Sequence, residues 1–157
     1  MNENEAFIIE SNRIEGILRP PTYEERAEFT RFAALREVTI DDLVAFVSVY
    51  QPNAKLRATN RVPGVRVGNH IAPPSGPEIV AALEELCQRA NANGGRQNMP
   101  REASREAYAV HLAYETLHPF TDGNGRSGRM LWRWMMCEAP LGFLHKFYYQ
   151  TLDALQR

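Results

Sequence analysis

One short run of the chain brings together the residue types that phosphate chemistry needs. It reads His118-Pro-Phe-Thr-Asp-Gly-Asn-Gly-Arg-Ser-Gly-Arg129. We expect one helix to end near Leu117 and another to begin near Gly125, so that the first amides of the second helix have no partner within it. Those amides lie at the positive end of the helix dipole. Because Gly123 and Gly125 allow a sharp turn and close ligand approach, the run predicts a phosphate-binding anion nest.

The charged residues of this run extend the same chemistry. Arg126 and Arg129 lie about one turn apart and share a helix face, and two guanidinium groups suit a diphosphate or triphosphate. Asp122 adjoins the nest, where a single carboxylate beside phosphates commonly holds Mg²⁺. His118 opens the run and is suited to accept a proton from a hydroxyl group. Each residue alone has an ordinary structural explanation, but their order favours a nucleotide site.

The run resembles the motif of the Fic family, His-x-Phe-x-(Asp/Glu)-Gly-Asn-Gly-Arg-x-x-Arg. The resemblance implies an enzyme that transfers AMP from ATP, with Mg²⁺, to a Ser, Thr or Tyr hydroxyl of a target protein or of the enzyme itself. It implies a general base at His118, a metal ligand at Asp122 and an apolar anchor at Phe120. It assigns the phosphates to Gly123, Asn124, Gly125, Arg126 and Arg129.

A second motif lies near the N-terminus, in the run Ser11-Asn-Arg-Ile-Glu-Gly16. On a helix that ends at Gly16, Ser11 and Glu15 share a face, although a surface glutamate is the ordinary explanation. The run resembles the Fic inhibitory motif, (Ser/Thr)-x-x-x-Glu-(Gly/Asn), in the subclass whose inhibitory helix precedes the core. The resemblance implies that Glu15 pairs with Arg129 and keeps ATP in a non-productive pose. A role for Glu15 in removing AMP is left open.

The segment 51–76 contrasts with the helical remainder because it is rich in proline and glycine. Its β-branched residues favour extended structure, and we expect a short β-hairpin with its turn near Gly68-Asn69. The segment 63–74 looks like the flap of Fic proteins. An exposed strand can pair with an extended target segment, and the residues expected to dock the target are Val67, Gly68, Asn69, His70 and Ile71.

The fold class expected is all-α, a Fic-type helical bundle with one short β-hairpin flap. The expected helices are 5–15, 22–36, 40–50, 77–91, 100–117, 125–138 and a short one within 142–155. Thr22 with Glu25, and Thr39 with Asp42, are typical of helix-capping pairs. We expect a single Fic domain over residues 1–157, with an inhibitory helix at 1–16, a flap at 61–74 and a catalytic loop and helix start at 118–129.

The composition of the 157 residues restricts the partners. The net charge is −1, with 18 basic and 19 acidic residues, so no broad basic face is expected for nucleic acid or for an anionic membrane. No apolar run approaches the length of a membrane span. Two cysteines without a metal-binding spacing favour buried, reduced thiols and a cytoplasmic protein. The target protein stays unidentified, and a homo-oligomer stays open.

Three alternative functions remain to be weighed. Some Fic relatives transfer a phosphate, UMP or phosphocholine group, but the intact Gly123 and Gly125 favour AMP transfer from ATP. A non-catalytic nucleotide-binding regulatory module would be expected to have lost His118 or an arginine, and neither is lost. A DNA-binding regulator would require a broad basic face, which the charge balance disfavours.

Overall fold

The computed structural model describes residues 2–59, 66–67, 70–93 and 100–136, and within these it describes no side chain at 66, 67, 93 or 100–104. The described residues are mostly helical. The six helices are α1 (Glu3–Ile14), α2 (Tyr23–Ala33), α3 (Ile40–Tyr50), α4 (Pro77–Asn93), α5 (Pro100–Leu117) and α6 (Asn124–Met136). Two strands of two residues each, β1 (Arg66–Val67) and β2 (His70–Ile71), pair antiparallel between α3 and α4.

Local capping determines where the first three helices begin. Thr22 and Glu25 form a reciprocal capping box at α2, and Thr39 and Asp42 form another at α3. In each box the hydroxyl and the carboxylate accept amide hydrogens that have no acceptor within the helix. α1 begins at Glu3, two residues earlier than expected, because the side chain of Asn2 accepts the amide of Glu5.

Helix α5 packs against both α6 and α4, and α4 also contacts α6. Apolar side chains from all six helices fill one core. Removal of these apolar side chains from water is the main force that holds the helices together. Its most deeply buried members include Phe29, Phe32, Leu43, Ile79, Leu83, Tyr114, Phe120, Met130, Leu131 and Met135.

The largest correction to a helix boundary concerns the end of α2. α2 ends at Ala33, three residues before the expected end at position 36. Tertiary bonds redirect the chain there: the indole of Trp134 donates to the carbonyl of Leu35 at 2.8 Å, and the amide of Val38 donates to Asn91 at 2.8 Å. A periodicity argument cannot detect such partners because they lie far away in sequence.

Several expectations fall on residues outside the described ranges. These are the hairpin turn at Gly68-Asn69, the tail helix within 142–155, the last two residues of the helix expected over 125–138, and the second cysteine, Cys137. Cys87 is buried and makes no disulfide in the part of the chain described. None of the described helices has the length and apolar character needed to cross a membrane.

Candidate active site at the start of helix α6

The loop between α5 and α6 is closed by its own side chains. Asn124 accepts the amide of Phe120 at 2.9 Å and donates to the carbonyl of the same residue at 2.8 Å. Phe120 is 1% exposed, which fits the expected apolar anchor. The Asn124 side chain is therefore committed to the loop. What it offers a ligand is its backbone amide, which, like that of Gly125, donates to no backbone acceptor in the described structure.

A second segment holds the same loop from outside. The residues after α3 run antiparallel to it, with an isolated bridge between Leu56 and Phe120. The amide of Thr121 donates to the carbonyl of Lys55 at 2.8 Å, and the amide of Lys55 donates to the Thr121 hydroxyl at 2.9 Å. These bonds leave the loop little freedom before any ligand binds.

His118 lies at the start of the loop with a φ of 53°. This left-handed conformation is uncommon for a residue with a side chain, and it clusters at functional sites. Burial, followed by the positive charge of Arg57, lowers the pKa of His118 to about 4. Its Nδ1 is buried and has no hydrogen-bond partner among the described residues. The imidazole is therefore neutral near pH 7, which is the form that accepts a proton.

Arg57 fixes the backbone around His118. Its guanidinium donates to the carbonyl of His118 at 2.6 Å, of Leu117 at 2.8 Å and of Pro73 at 2.8 Å, and to the hydroxyl of Ser75 at 3.2 Å. The side chain is fully buried. One guanidinium thus satisfies the C-terminal carbonyls of α5 and ties them to the segment that follows β2.

We expect Arg57→Met to lower the free energy of unfolding by about 3 kcal/mol, because several buried carbonyls lose a charged donor. Urea unfolding followed by circular dichroism measures the change. Arg36→Met is the matched control, since Arg36 is exposed and its loss should cost less than about 0.5 kcal/mol. Equal stability of the two variants would contradict the role given to Arg57.

The lowered pKa of His118 also predicts how stability depends on pH. Between about pH 6.5 and the folded value of about 4, the unfolded chain gains a proton at this histidine and the folded chain does not. The contribution of His118 is therefore fully present above the unfolded pKa, and stability falls as pH drops through that window. Replacing the side chain with the neutral Gln in His118→Gln should reduce the loss measured by urea unfolding at pH 7 and pH 5. An unchanged loss would show that His118 titrates normally.

Asp122 is the exposed carboxylate of the loop. One of its oxygens accepts the amide of Gly123 at 2.8 Å, and the other accepts the side-chain amide of Gln51 at 2.9 Å. The described residues hold no cluster of three or more His, Cys, Asp or Glu side chains that would bind a metal by themselves. This donor set fits Mg²⁺, which is commonly bound by one carboxylate together with substrate phosphates and water.

Arg129 contacts the C-terminal end of α1. Its Nε donates to the hydroxyl of Ser11 at 3.0 Å, and its Nη2 donates to the carbonyl of Ser11 at 3.0 Å and to the carboxylate of Glu15 at 2.7 Å. The Arg129 side chain is 1% exposed and that of Glu15 is 40% exposed. Gly16 adopts a φ of 77° and ends the helix directly after Glu15.

Arg126 is buried one turn earlier on α6, in a different set of contacts. It donates to the side chains of Gln51 at 2.7 Å and Asn12 at 3.3 Å. Its guanidinium lies 3.8 Å from the carboxylate of Glu25 and 5.6 Å from the ring centre of Tyr50. Both arginines of the run therefore contact α1, one through Asn12 and the other through Ser11 and Glu15.

The carboxylate of Glu15 covers the start of α6. A Cβ atom added to Gly125 would collide with that carboxylate. Gly123 has a φ of 78°, a conformation that favours glycine. The carboxylate at the C-terminal end of α1 therefore lies against the first turn of α6, the end of a helix that attracts an anion.

The strand pair adjoins this site through His70. Arg66 pairs with Ile71, and Val67 pairs with His70. The His70 ring lies with Nε2 2.9 Å from the carbonyl oxygen of Thr116, two residues before His118. Ile71 is 69% exposed. Of the five residues predicted to dock a target, Gly68 and Asn69 lie outside the described structure.

Three site residues were not predicted from the sequence. Asn12 occupies a variable position of the inhibitory motif, Gln51 follows the last residue of α3, and Arg57 lies in the proline- and glycine-rich segment. No spacing connects them to the run that begins at His118. Only the folded chain brings Gln51 and Arg57 to that loop and Asn12 to Arg126.

Comparison with known proteins identifies the family of this chain. The family model described as Fic/DOC family matches residues 27–136. The chain is also 30% identical over 95 residues to "Protein adenylyltransferase fic-1" of Caenorhabditis briggsae. That match covers 60% of this chain and 18% of the relative, so the chain spans less than a fifth of that protein's length. Since the family model covers more than half of the chain, this protein belongs to the Fic/DOC family.

Proposed function

We propose that this protein is an autoinhibited protein adenylyltransferase, which transfers AMP from ATP to a hydroxyl group of a target protein. The observation that carries the proposal is the site at the start of α6. There a neutral His118, an exposed Asp122 and two buried arginines surround unpartnered backbone amides. The similarity to a relative named as a protein adenylyltransferase supports the same reaction.

In the proposed reaction, the target hydroxyl oxygen forms a bond to the α-phosphorus of ATP, and the bond between that phosphorus and the bridging oxygen breaks. His118 accepts the hydroxyl proton, and pyrophosphate leaves with the electrons of the broken bond. The amides at the start of α6, together with Arg126 and Arg129, stabilise the negative charge of the phosphates. Asp122 would hold Mg²⁺, which neutralises phosphate charge when it is bound.

Autoinhibition is proposed from the ion pair between Glu15 and Arg129. A carboxylate at 2.7 Å from the guanidinium competes directly with a phosphate oxygen for the same donors. ATP that binds while Glu15 is in place cannot use Arg129 for its outer phosphate. Its triphosphate then lies in a pose that does not align the α-phosphorus with the incoming hydroxyl.

Target docking is proposed for the strand pair, the residues from Val67 to Ile71. The ring of His70 contacts the last turn of α5, immediately before His118. A target segment that adds to this strand pair by main-chain hydrogen bonds would therefore place its hydroxyl beside the base. The exposed side chain of Ile71 offers such a segment an apolar contact.

Removal of AMP from a modified hydroxyl is a second candidate activity, and the exposure of Glu15 favours it. The side chain of Glu15 is 40% exposed, so solvent water can reach it while it lies over the phosphate site. A carboxylate in that position is suited to activate a water molecule. Release of AMP from purified modified protein by the intact chain, and not by Glu15→Gly, would support this activity.

The proposed transfer is tested by mass spectrometry of a lysate incubated with the Glu15→Gly variant, ATP and Mg²⁺. We expect protein adducts with the mass of AMP on Ser, Thr or Tyr. Parallel reactions with ATP labelled on the α-phosphate or the γ-phosphate identify the group transferred. Label from the γ-phosphate on protein would indicate phosphate transfer, and the absence of both labels would leave a nucleotide-binding module.

A further inference from the structure

Gln51 connects the two halves of the phosphate site. Its side-chain oxygen accepts the Nη2 hydrogen of Arg126 at 2.7 Å, and its side-chain nitrogen donates to the Asp122 carboxylate at 2.9 Å. A guanidinium has only donors and an ionised carboxylate has only acceptors. The two neighbours therefore fix the orientation of the amide. A group that bridges them must carry a donor at one end and an acceptor at the other.

The backbone of Gln51 is held as firmly as its side chain. Its amide donates to the carbonyl of Val47 at 2.7 Å, and its carbonyl accepts the amide of Ala54 at 2.9 Å. The Cβ of Gln51 would lie 3.2 Å from a Cβ placed on Gly123. The end of α3 thus packs directly against the loop. The side-chain amide of Gln51 cannot move away without breaking its hydrogen bonds to Asp122 and Arg126.

Asp122 and Arg126 carry opposite charges, and both are hydrogen-bonded to the side-chain amide of Gln51, so the two charged groups lie on either side of one amide. The described contacts of Arg126 run to Gln51, Asn12, Glu25 and Tyr50. Those of Asp122 run to Gln51 and Gly123. The neutral amide therefore separates the two charges, and no direct ion pair between them is among the described contacts.

We infer that Gln51 is a positioning residue, which keeps the Asp122 carboxylate and the Arg126 guanidinium apart so that each stays available to the nucleotide. This role rests on the proposed function, because it assigns both charges to one triphosphate. Without the bridge, Asp122 forms an ion pair with Arg126. The site then loses both a hydrogen-bond donor to the phosphates and a carboxylate ligand for the metal.

The test is a double-mutant cycle on ATP binding, measured by isothermal titration calorimetry in EDTA. All proteins carry Glu15→Gly, and EDTA removes any contribution of a metal. Gln51→Met keeps the length of the side chain and removes both hydrogen bonds. We expect it to weaken ATP binding about fivefold, the value of an ion pair worth about 1 kcal/mol that ATP must now displace.

Asp122→Asn supplies the decisive arm of the cycle. If Gln51→Met acts by letting Asp122 pair with Arg126, it should weaken ATP binding when Asp122 is present and have no effect when Asp122→Asn is also present. A role of Gln51 in general packing predicts the same loss in both backgrounds, because Asp122→Asn then changes ATP binding only through its own charge. Gln88→Met is the matched control, because Gln88 is exposed on α4 and its substitution should leave ATP binding unchanged.

Two results would overturn the inference. One is ATP binding by Gln51→Met equal to that of its parent, and the other is a loss caused by Gln51→Met that is as large in the Asp122→Asn background as in the Asp122 background. Failure of the proposed function has a different signature: Glu15→Gly then transfers no AMP with Mg²⁺ present, whatever the cycle in EDTA gives. Circular dichroism of each variant checks that the helices are intact.

Discussion

Replacing Glu15 with glycine is expected to raise the rate of AMP transfer about ten- to hundredfold. The physical reason is the loss of a charge-assisted hydrogen bond to Arg129, which is worth about 1.5 to 3 kcal/mol. In the intact protein this bond occupies the guanidinium at 2.7 Å. In the variant the outer phosphate of ATP takes the vacant donors. Initial rates with α-labelled ATP and a fixed amount of target measure the change.

The design of the control follows from the geometry of Glu15. Glycine at this position also changes the end of α1, where Glu15 is the capping residue. Glu15→Gln keeps the size of the side chain and removes only its charge, so it should give an intermediate rate. Ser11→Ala removes one of the two contacts that Ser11 makes with Arg129 and should activate less than either. Equal rates for the intact chain and Glu15→Gly would contradict autoinhibition by this ion pair.

Replacing His118 is expected to lower AMP transfer about 10²- to 10⁴-fold, the usual contribution of a general base, while ATP binding changes little. The measurement compares transfer rates and ATP dissociation constants in the Glu15→Gly background. The separation of the two quantities matters because Arg126, Arg129 and the amides of α6 bind the phosphates in this proposal. His118 acts only on the proton of the target hydroxyl.

The backbone of His118 requires a second variant. Its φ of 53° is disfavoured for alanine and is tolerated better by asparagine. His118→Ala therefore removes the base and also strains the loop, whereas His118→Asn removes the base and retains the conformation. Both should show this lowered rate of transfer, and His118→Asn should bind ATP as tightly as its parent. Normal transfer by His118→Asn would show that another group is the base.

Much of the fold could be predicted from local sequence signals. The capping pairs at Thr22 and Thr39 place the starts of α2 and α3, and both boxes are present in the structure. Pro77 and Pro100 begin α4 and α5 as predicted, because proline suits the first helical turn. The end of α2 was predicted wrongly, since it depends on Trp134 and Asn91.

The candidate site was predictable only where its residues follow one another in sequence. Two motifs can be recognised from the order and spacing of their residue types alone: the run from His118 to Arg129 and the motif from Ser11 to Gly16. Their meeting at Arg129 was predicted from the family resemblance, and the structure brings them into contact. Arg57 and Gln51 act through distant carbonyls, carboxylates and guanidinium groups, so no local pattern in the sequence marks them.

The reciprocal bonds between Asn124 and Phe120 have a consequence for the proposed activation. They close the loop internally, so the backbone amides at the start of α6 are arranged before nucleotide arrives, and binding incurs little ordering entropy. In the proposed function, the protein is then activated by the departure of the Glu15 carboxylate from the Arg129 guanidinium. A signal that loosens α1 would raise the rate of transfer without any rearrangement of the loop.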